Sequence, residues 1–559
     1  MKKERARLKT KYTVGDIPFD AYPRPTMVRD SYLCLNGKWR ITTPDWSGEI
    51  VVPYPPESML SGIGRHIGNR YTYEREFCLP DGFLKDRVIL HFGAIDQIAR
   101  VYLNGKKIGE HVGGYTPFSI DVSSFLSNLN TLTVEVEDNL SDHVLPYGKQ
   151  SKESKGMWYT SHSGIWQTVW LESLPKRYIK HLEVEIKDGV KITAEGVKEG
   201  AVTVNTPGGK LSKRLIDGVV VFKLENPRLW SPEDPYLYRY TVESGEDKVE
   251  SYFAIRNLTT NKIDGIPRLC LNGKPYFFHG ILDQGYWSDG LVLPANADGY
   301  RDDILRLKSL GFNMLRKHVK IEPQIFYALC DELGIVVFQD MVNNGEYKFA
   351  RDTLLPNIGL KRRECTRAHR CIRTREAFIK QMKETVSALK VHPCIVYWTI
   401  FNEGWGQFEA DKAYQILKDL DDTRFIDSTS GWFETKLSDV KSIHSYFFPP
   451  RIKVQDKPVV LSEFGGSTYF VDGHSAVLKR YGYGTAKTRE KFVKAVRSKY
   501  EKIIEWKKKG LCASVYTQLS DVEDEINGLT TFDRAVDKII SLELIDLSTK
   551  LTGDDYEIQ

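Results

Sequence analysis

The sequence of 559 residues lacks a long apolar run, a strong excess of either charge and a dense set of cysteines. No stretch approaches the roughly 18 apolar residues that a membrane-spanning helix needs, and the basic N-terminus leads into no apolar signal segment. We therefore expect a cytoplasmic chain with no membrane partner. The net charge of +5 is small for this length, so nucleic acid is not expected as a partner either.

The eight cysteines are scattered along the chain, several of them inside apolar strand or helix patterns. We expect them to be reduced thiols in the protein core. Cys365, His369 and Cys371 lie close together, but no second pair of ligands follows at the spacing of a zinc site. The sequence thus predicts neither a metal site nor a cofactor.

Two changes of pattern divide the chain into three predicted domains. Residues 1–177 contain short strands with alternating apolar residues and frequent turn residues, which indicates a β-sandwich. Residues 178–260 continue this pattern over the length of an immunoglobulin-like sandwich. Residues 261–559 alternate buried-type apolar runs with amphipathic helical stretches, a pattern typical of parallel β/α units.

The third region predicts a (β/α)8 barrel, because it offers eight candidate strands over about 300 residues. The candidate strands are 276–279, 313–317, 335–339, 395–401, 425–428, 443–446, 459–463 and 513–518. Helical periodicity is clearest at 302–310, 325–333, 377–389, 413–420 and 488–508. An open doubly wound sheet is the competing fold, but no glycine-rich phosphate-binding turn follows the first strand.

Two glutamates, Glu403 and Glu463, each close a strongly apolar strand candidate of this barrel. Catalytic groups of barrel enzymes cluster at the C-terminal ends of strands, where burial and mutual repulsion separate the pKa values of two carboxyl groups. Retaining glycoside hydrolysis uses such a pair about 5 Å apart, one as general acid/base and one as nucleophile. The alternative is that both glutamates only cap the helices that follow.

Polar side chains also follow most of the other strand candidates. They are His279, Asp283, Gln284, His318, Asp340, His444, Tyr446, Gln518 and Asp521. A single polar residue at a strand end often caps the next helix. A whole ring of them favours a mouth that binds the hydroxyl groups of a sugar.

Several stretches resemble glycoside hydrolase family 2, which contains β-galactosidases, β-glucuronidases and β-mannosidases. Phe-Asn-Glu-Gly-Trp-Gly at 401–406 is similar to the acid/base motif of that family, and Leu-Ser-Glu-Phe-Gly-Gly at 461–466 to its nucleophile motif. Further similar stretches follow in the order of the family and cover essentially the whole chain, at 35–39, 92–96, 101–105, 113–118, 163–172 and 229–238. The resemblance implies a jelly-roll, an immunoglobulin-like domain and a catalytic (β/α)8 barrel.

The resemblance also implies roles for individual residues. Glu403 would be the general acid/base and Glu463 the nucleophile. Asn402 would hydrogen-bond the 2-hydroxyl of the sugar, His318 would face the sugar, and Tyr446 would tune the ionisation of the nucleophile.

Four further residues are weaker candidates for substrate binding. Asp283 and Gln284 fall where many family members carry a His-Glu pair, so they are expected to bind hydroxyl groups or to support the site from behind. Trp405 and Tyr516 are aromatic residues that we expect to line the sugar pocket, although packing alone would explain either.

One departure from the family narrows the expected substrate. Family β-glucuronidases grip the uronic carboxylate with an Asn-x-Lys motif in the last barrel loop, and the stretch Asp-Glu-Ile-Asn-Gly-Leu at 524–529 lacks that lysine. We therefore expect a retaining exo-glycosidase for a neutral terminal sugar, by default a β-galactoside. Against this, region 348–375 carries nine Lys or Arg residues and two acidic ones, which would suit an acidic glycan.

Several alternatives remain open at this point. The sugar removed could be a uronide, a mannoside or an arabinoside, and the hydrolase could be inverting, with more widely spaced carboxylates. A non-catalytic carbohydrate-binding protein is the alternative from another functional class. The sequence does not decide whether the chain forms a homo-oligomer.

Overall fold

A computed structural model describes residues 5–355, 371–446, 450, 452–477 and 485–553. Cys365, His369 and most of the basic stretch 348–375 lie outside the described residues, so the expectations for them stay untested. The seven cysteines within the described residues are free thiols. No helix in this part of the chain is both long and apolar enough to cross a membrane.

The first domain is a jelly-roll built from two antiparallel sheets. The smaller sheet has the strand order Tyr32–Cys34, Val169–Leu174, Arg87–Phe92 and Phe118–Asp121. The larger sheet has the order Ser47–Val52, Gly37–Thr42, Arg70–Phe77, Asn130–Glu137, Ile98–Leu103 and Lys106–Val112. Two short pairs lie beside them, Ile95–Asp96 with Gly164–Ile165 and Gln150–Ser151 with Tyr159–Thr160. Alternate residues of each long strand face the core, as in Leu132, Val134 and Val136.

The second domain is a seven-stranded antiparallel ladder with its own apolar core. The strand order is His181–Ile186, Val190–Glu195, Val219–Phe222, Gly209–Ile216, Glu199–Thr206, Tyr238–Ser244 and Asp247–Phe253. The predicted boundary at 177/178 falls in the connection between Leu174 and His181. The boundary at 260/261 falls inside the next strand, Leu258–Ile263, which pairs with Ile266–Leu271 and then Lys274–Pro275.

The third domain is a nearly closed barrel of eight parallel strands. In chain order, barrel strands one to eight are Phe278–Asp283, Met314–Lys317, Val336–Asp340, Ile395–Asn402, Phe425–Ser430, Lys441–Ser445, Val459–Gly465 and Leu511–Thr517. The hydrogen-bonded order is five, four, three, two, one, eight, seven and six. Strands five and six complete the ring without a ladder between them. All eight overlap with the strands predicted from the sequence.

Six of the barrel strands are followed by a described helix. The helices follow strands one, two, three, four, seven and eight and are Ala297–Ser309, Gln324–Leu333, Ile372–Leu389, Ala410–Leu420, Arg489–Lys508 and Ile545–Thr552. The π-helical turn Ala350–Leu354 precedes the third of them. In the described parts of the connections after strands five and six there is no helix.

The N-terminal segment links all three domains and does not join the jelly-roll sheets. Arg5 forms an ion pair with Asp524 of the last barrel loop at 2.8 Å. Leu8 belongs to the apolar core of the barrel, and Val28 pairs with Glu250 of the second domain. The domains therefore share contacts beyond their sequential connections.

Asp331, at the end of the second barrel helix, holds the second domain against the barrel. Its buried carboxylate accepts hydrogen bonds from the Tyr252 hydroxyl at 2.8 Å and the Cys394 backbone at 2.8 Å, and it lies 2.7 Å from Nδ1 of His392. The Asp331 carbonyl accepts from the indole of Trp230 at 2.8 Å. Two of these four donors come from the second domain.

We predict that Tyr252→Phe lowers the free energy of unfolding by about 1.5–3 kcal/mol, because one buried hydrogen bond to a carboxylate is lost while the ring stays packed. Tyr236→Phe is the matched control, since its hydroxyl makes no hydrogen bond to the described residues. Thermal unfolding of both variants checks this. Equal midpoints would show that the contact to Asp331 does not stabilise the domain interface.

Candidate active site

The two predicted catalytic glutamates lie side by side at the C-terminal mouth of the barrel. Glu403 directly follows strand four, and Glu463 lies near the end of strand seven. One carboxylate oxygen of each residue, together with a ring nitrogen of His444, falls within a group whose atoms are at most 4.8 Å apart. The side chain of Glu463 is buried, whereas that of Glu403 is 17% exposed. This separation is that of a retaining pair, about 5 Å.

Glu403 adopts an unusual backbone conformation. Its φ of 53° lies in the left-handed region, which costs a residue with a side chain about 1–3 kcal/mol. The conformation is held by a hydrogen bond from the Glu403 backbone to the Ser430 carbonyl at 2.8 Å and by Gly404, whose φ is 72°. A Cβ on Gly404 would lie 2.1 Å from the Phe433 ring. The surrounding structure thus fixes the turn that presents Glu403.

Arg316 of strand two connects the polar groups across the barrel. Its guanidinium is 1% exposed and donates from Nε to Asp340 at 2.9 Å. Nη1 donates to Glu463 Oε1 at 3.2 Å, and Nη2 donates to Asn402 Oδ1 at 2.9 Å. A planar guanidinium suits this task because its donors point in fixed directions. One side chain of strand two thus positions residues of strands three, four and seven.

The environment of Glu463 favours its ionised form. Burial alone would raise the pKa of this carboxyl group, but attraction to His444 and Arg316 outweighs burial and lowers it. The Tyr446 hydroxyl contributes by donating a hydrogen bond to Oε2 at 2.5 Å, and Thr517 Oγ1 lies 2.9 Å from the same hydroxyl. At neutral pH, Glu463 is therefore a carboxylate, as a nucleophile must be.

His318 lies next to this group and is held by Asp340. Its Nδ1 is 2.7 Å from Asp340 Oδ2. Burial lowers the pKa of His318, so the ring is neutral near pH 7. Burial opposes the charge of Asp340, but Arg316 and His318 outweigh it and lower its pKa to about 2. Nδ1–H therefore donates to the carboxylate, and Nε2 remains as an acceptor for a substrate hydroxyl.

His444 of strand six bridges the two glutamates, a role that its position in the sequence did not reveal. Its Nδ1 lies 2.8 Å from Glu403 Oε1 and 3.6 Å from Glu463 Oε2. Its Nε2 lies 3.0 Å from the Ser430 hydroxyl. Glu403, His444 and Glu463 also have the spacing of metal ligands, but this set coincides with the proposed catalytic pair, so we assign no separate metal centre.

The jelly-roll domain contributes one wall of the mouth. The backbone N–H groups of Tyr147 and Gly148 donate to the Asn343 carbonyl, beyond strand three, at 3.1 Å each. Trp158 packs edge-on against Trp405 with ring centres 5.0 Å apart. The side chain of Lys149, between these contacts, is buried within the same wall.

Loop 519–530 after strand eight meets this wall. Thr160 donates to Glu523 at 2.9 Å, Gly156 donates to Asp524 at 3.1 Å, and the Tyr159 hydroxyl donates to Glu525. Together, jelly-roll segment 147–160 and this loop close one side of the mouth. The sequence left open whether the jelly-roll domain lends a loop to the active site or to a subunit interface.

Three models of one family match the chain in succession. They are a glycosyl hydrolase 2 galactose-binding domain-like model over residues 62–165, a glycosyl hydrolases family 2 model over 170–256, and the TIM barrel domain of the same family over 264–536. The chain belongs to glycoside hydrolase family 2. The predicted family and three-domain fold are therefore confirmed.

Similar proteins within family 2 are distant in sequence. Human beta-glucuronidase is 25% identical in an alignment of 550 residues, gaps included, that covers 80% of this chain and 79% of that protein. A beta-galactosidase of Thermoanaerobacter pseudethanolicus is 25% identical over 432 residues, covering 71% of this chain and 54% of that protein. The chain thus spans about half the length of that second relative.

Solved structures of family 2 proteins share the fold over nearly the whole chain. A beta-D-glucuronidase of Dictyoglomus thermophilum has a TM-score of 0.74 and 20% identity, covering 95% of this chain and 98% of that one. A beta-galacturonidase of Eisenbergiella tayi bound to galacturonate has a TM-score of 0.68 and 19% identity, covering 94% and 98%. At this identity the similarity establishes the fold alone.

Asp283 and Gln284, which stand where many family members carry a His-Glu pair, are both buried in the structure. Asp283 forms an ion pair with Lys317 and accepts from the Gly285 backbone at 2.8 Å. Burial would raise the pKa of Asp283, but Lys317 outweighs it and lowers it. Gln284 donates to Gln518 at 2.9 Å. Asp283 thus contacts a buried lysine of strand two, and Gln284 contacts the residue that directly follows strand eight.

The two predicted aromatic residues have different positions. Trp405 lies two residues after Glu403 in a cluster with Tyr147, Trp158 and Tyr347, where its indole donates to a backbone carbonyl at 3.1 Å. Tyr516 is fully buried and packs on Phe464 and on Tyr500 of the helix layer, with centres 5.5 and 6.0 Å apart. The expectation that Tyr516 lines the pocket is wrong, because neighbours on a strand face opposite sides and Thr517 faces the mouth.

We predict that Tyr446→Phe moves the acidic limb of the pH profile of kcat/KM upward by about one pH unit. The lost hydrogen bond to a charged group, typically about 1.5–3 kcal/mol, no longer helps to lower the pKa of Glu463. The nucleophile acts as a carboxylate, so activity is lost as pH falls through its pKa, and a raised pKa brings that loss at higher pH. Tyr516→Phe is the control and should leave the profile unchanged. An unshifted acidic limb in Tyr446→Phe would contradict this role.

Proposed function

We propose that the chain is a retaining exo-glycosidase that removes a terminal β-linked sugar by double displacement. The observation that carries this proposal is a pair of carboxylates with oxygens no more than 4.8 Å apart, one of which is held ionised. An inverting hydrolase would need roughly 6.5–9.5 Å to admit a water molecule between the two groups.

In the proposed first step, a carboxylate oxygen of Glu463 attacks the anomeric carbon and forms a glycosyl ester. The bond to the leaving oxygen breaks, and protonated Glu403 donates its proton to that oxygen. In the second step, Glu403 takes a proton from water, the water oxygen attacks the anomeric carbon, and Glu463 leaves as a carboxylate. One water molecule is consumed, and the sugar keeps its configuration.

Neighbouring groups supply the positioning that this chemistry needs. The oxygen of Asn402 is occupied by Arg316, so its amide NH2 is the part that can donate to the 2-hydroxyl. Nε2 of His318 can accept from another hydroxyl. Segment 147–160 and the loop after strand eight close one side of the mouth. The site therefore suits the terminal sugar of a glycan better than a sugar in its middle.

For the sugar itself, a neutral β-galactoside is one candidate. It rests on the missing lysine at 524–529, where Asp524 binds Arg5 and Gly156, and Glu525 binds Tyr159. That loop therefore offers no cation to the substrate. A β-uronide is the second candidate, favoured by the names of several similar proteins and by the lysine discussed below. A purely carbohydrate-binding protein would have no use for the matched pair of carboxylates.

We predict that Glu463→Ala abolishes turnover of every aryl β-glycoside that the unchanged chain hydrolyses, because no group remains to form the ester. A panel of nitrophenyl β-galactoside, β-glucuronide, β-galacturonide, β-mannoside, β-glucoside and α-arabinoside checks this. Glu501→Ala, an exposed change on the helix Arg489–Lys508, is the control. Persistent turnover in Glu463→Ala would remove the nucleophile assignment, and an unchanged chain that cuts none of the panel would favour the binding-protein alternative.

We predict that Glu403→Ala loses about 10²–10⁴-fold in kcat/KM on glycosides with poor leaving groups, and clearly less on nitrophenyl glycosides that leave without a proton. Rates across a series of aryl leaving groups measure this difference. Equal losses across the series would contradict the acid role of Glu403.

A further inference from the structure

Lys149 is a buried lysine in the wall of the barrel mouth and has no anionic partner among the described residues. Its residue exposure is 8%, and its ammonium forms neither an ion pair nor a hydrogen bond with any described residue. Its Nζ lies over the Trp158 ring, whose centre is 5.6 Å away. Trp158 in turn packs on Trp405, two residues after the proposed acid/base.

Other deeply buried lysines of this chain show what the usual solution is. Lys317 and Lys320 contact Glu322 at 2.9 and 2.7 Å, and Lys538 contacts Asp521 at 2.6 Å. A buried charge is costly unless it is paired, so such partners are expected. Lys149 departs from this pattern. A bound ligand with a negative charge would supply the missing partner.

The backbone that carries Lys149 is fixed against the barrel. Besides the hydrogen bonds of Tyr147 and Gly148 to Asn343, the Lys149 carbonyl accepts from the Tyr159 backbone at 2.9 Å. A Cβ on Gly148 would lie 2.8 Å from the carbonyl of Val319, the residue after His318. The ammonium is therefore presented from a rigid base and not from a free loop.

The groups around Lys149 place its ammonium beside the sugar-binding residues. Besides burial, the positive charge of Lys149 helps to lower the pKa of His318, and the charges of Lys149 and Glu463 both act on Glu525. The charge of Lys149 therefore acts on groups at the mouth of the barrel. Burial raises the pKa of Glu525 to about 7, and the Tyr159 hydroxyl donates to its carboxyl group. Near neutral pH, a large fraction of Glu525 is protonated and does not neutralise Lys149.

We propose that Lys149 binds the carboxylate of a hexuronic acid in the sugar pocket and selects β-uronides over the corresponding neutral β-glycosides. The inference rests on the proposed function and names its substrate class. A lysine from the jelly-roll domain would then perform the task for which the last barrel loop has no lysine. Protonated Glu525, in the loop that meets segment 147–160 on the same side of the mouth, would donate to the same carboxylate.

The test compares two pairs of nitrophenyl glycosides that differ only in the oxidation state of C6, namely β-glucuronide with β-glucoside and β-galacturonide with β-galactoside. The enzymes are the unchanged chain, Lys149→Met and Lys152→Met. Methionine keeps the length of the lysine stem without its charge. Lys152 is the control because it is exposed, belongs to the same segment and donates a hydrogen bond to the Ser141 hydroxyl at 2.8 Å.

We expect the unchanged chain to prefer one or both uronides over their neutral partners. Comparison of the glucuronide with the galacturonide then identifies the configuration at C4 that the site accepts. Lys149→Met should lower kcat/KM on the preferred uronide by about 10- to 150-fold, the size of a lost hydrogen bond to a charged group, and leave the neutral partner nearly unchanged. Lys152→Met should resemble the unchanged chain.

Two results would overturn the proposal while the hydrolase function stands. One is a preference of the unchanged chain for the neutral sugars, and the other is an equal loss on both members of a pair in Lys149→Met, which indicates a structural role. If no glycoside is cut, the proposed function fails, and calorimetric binding of free glucuronate, galacturonate, glucose and galactose tests Lys149 alone. Binding of the acids that Lys149→Met abolishes would support the site, and binding that it does not change would refute it.

Discussion

The buried guanidinium of Arg316 is the interaction on which the arrangement of the site depends. It contacts Asp340, Glu463 and Asn402 at once, and Asp340 in turn orients His318. Removing a group from such a network leaves buried charges without partners, which costs more than the contact itself contributes. Because the same contact helps to lower the pKa of Glu463, one side chain contributes to both the position and the ionisation of the proposed nucleophile.

The jelly-roll domain is part of the active site and not only an appendage of the barrel. Segment 147–160 binds the loops after strands three and eight, and it packs Trp158 against Trp405, two residues after Glu403. Reaction chemistry and substrate selection would then lie in different domains. The mechanism resides in the strand ends, whereas selection of the substrate can change in a loop of another domain.

The sequence predicted the elements with strong local patterns. Apolar strands that end in glutamate identified Glu403 and Glu463, and alternation of strands and helices identified the barrel. Arg316 could have been found, because it lies two positions before His318 and so on the same face of its strand. Lys149, Glu525 and the bridging place of His444 could not, since they depend on contacts between distant segments. Tyr516 was assigned to the wrong face because a strand end alone does not tell which of two neighbours points inward.

The most direct test of the central claim is the mass of the protein after treatment with a 2-deoxy-2-fluoro-β-glycosyl fluoride of the sugar that it cuts. Such a reagent slows the breakdown of the glycosyl ester, so the intermediate accumulates. The account predicts one added glycosyl group per chain, on a peptide that contains Glu463, and none in Glu463→Ala. No added mass, or a label on another residue, would contradict nucleophilic attack by Glu463.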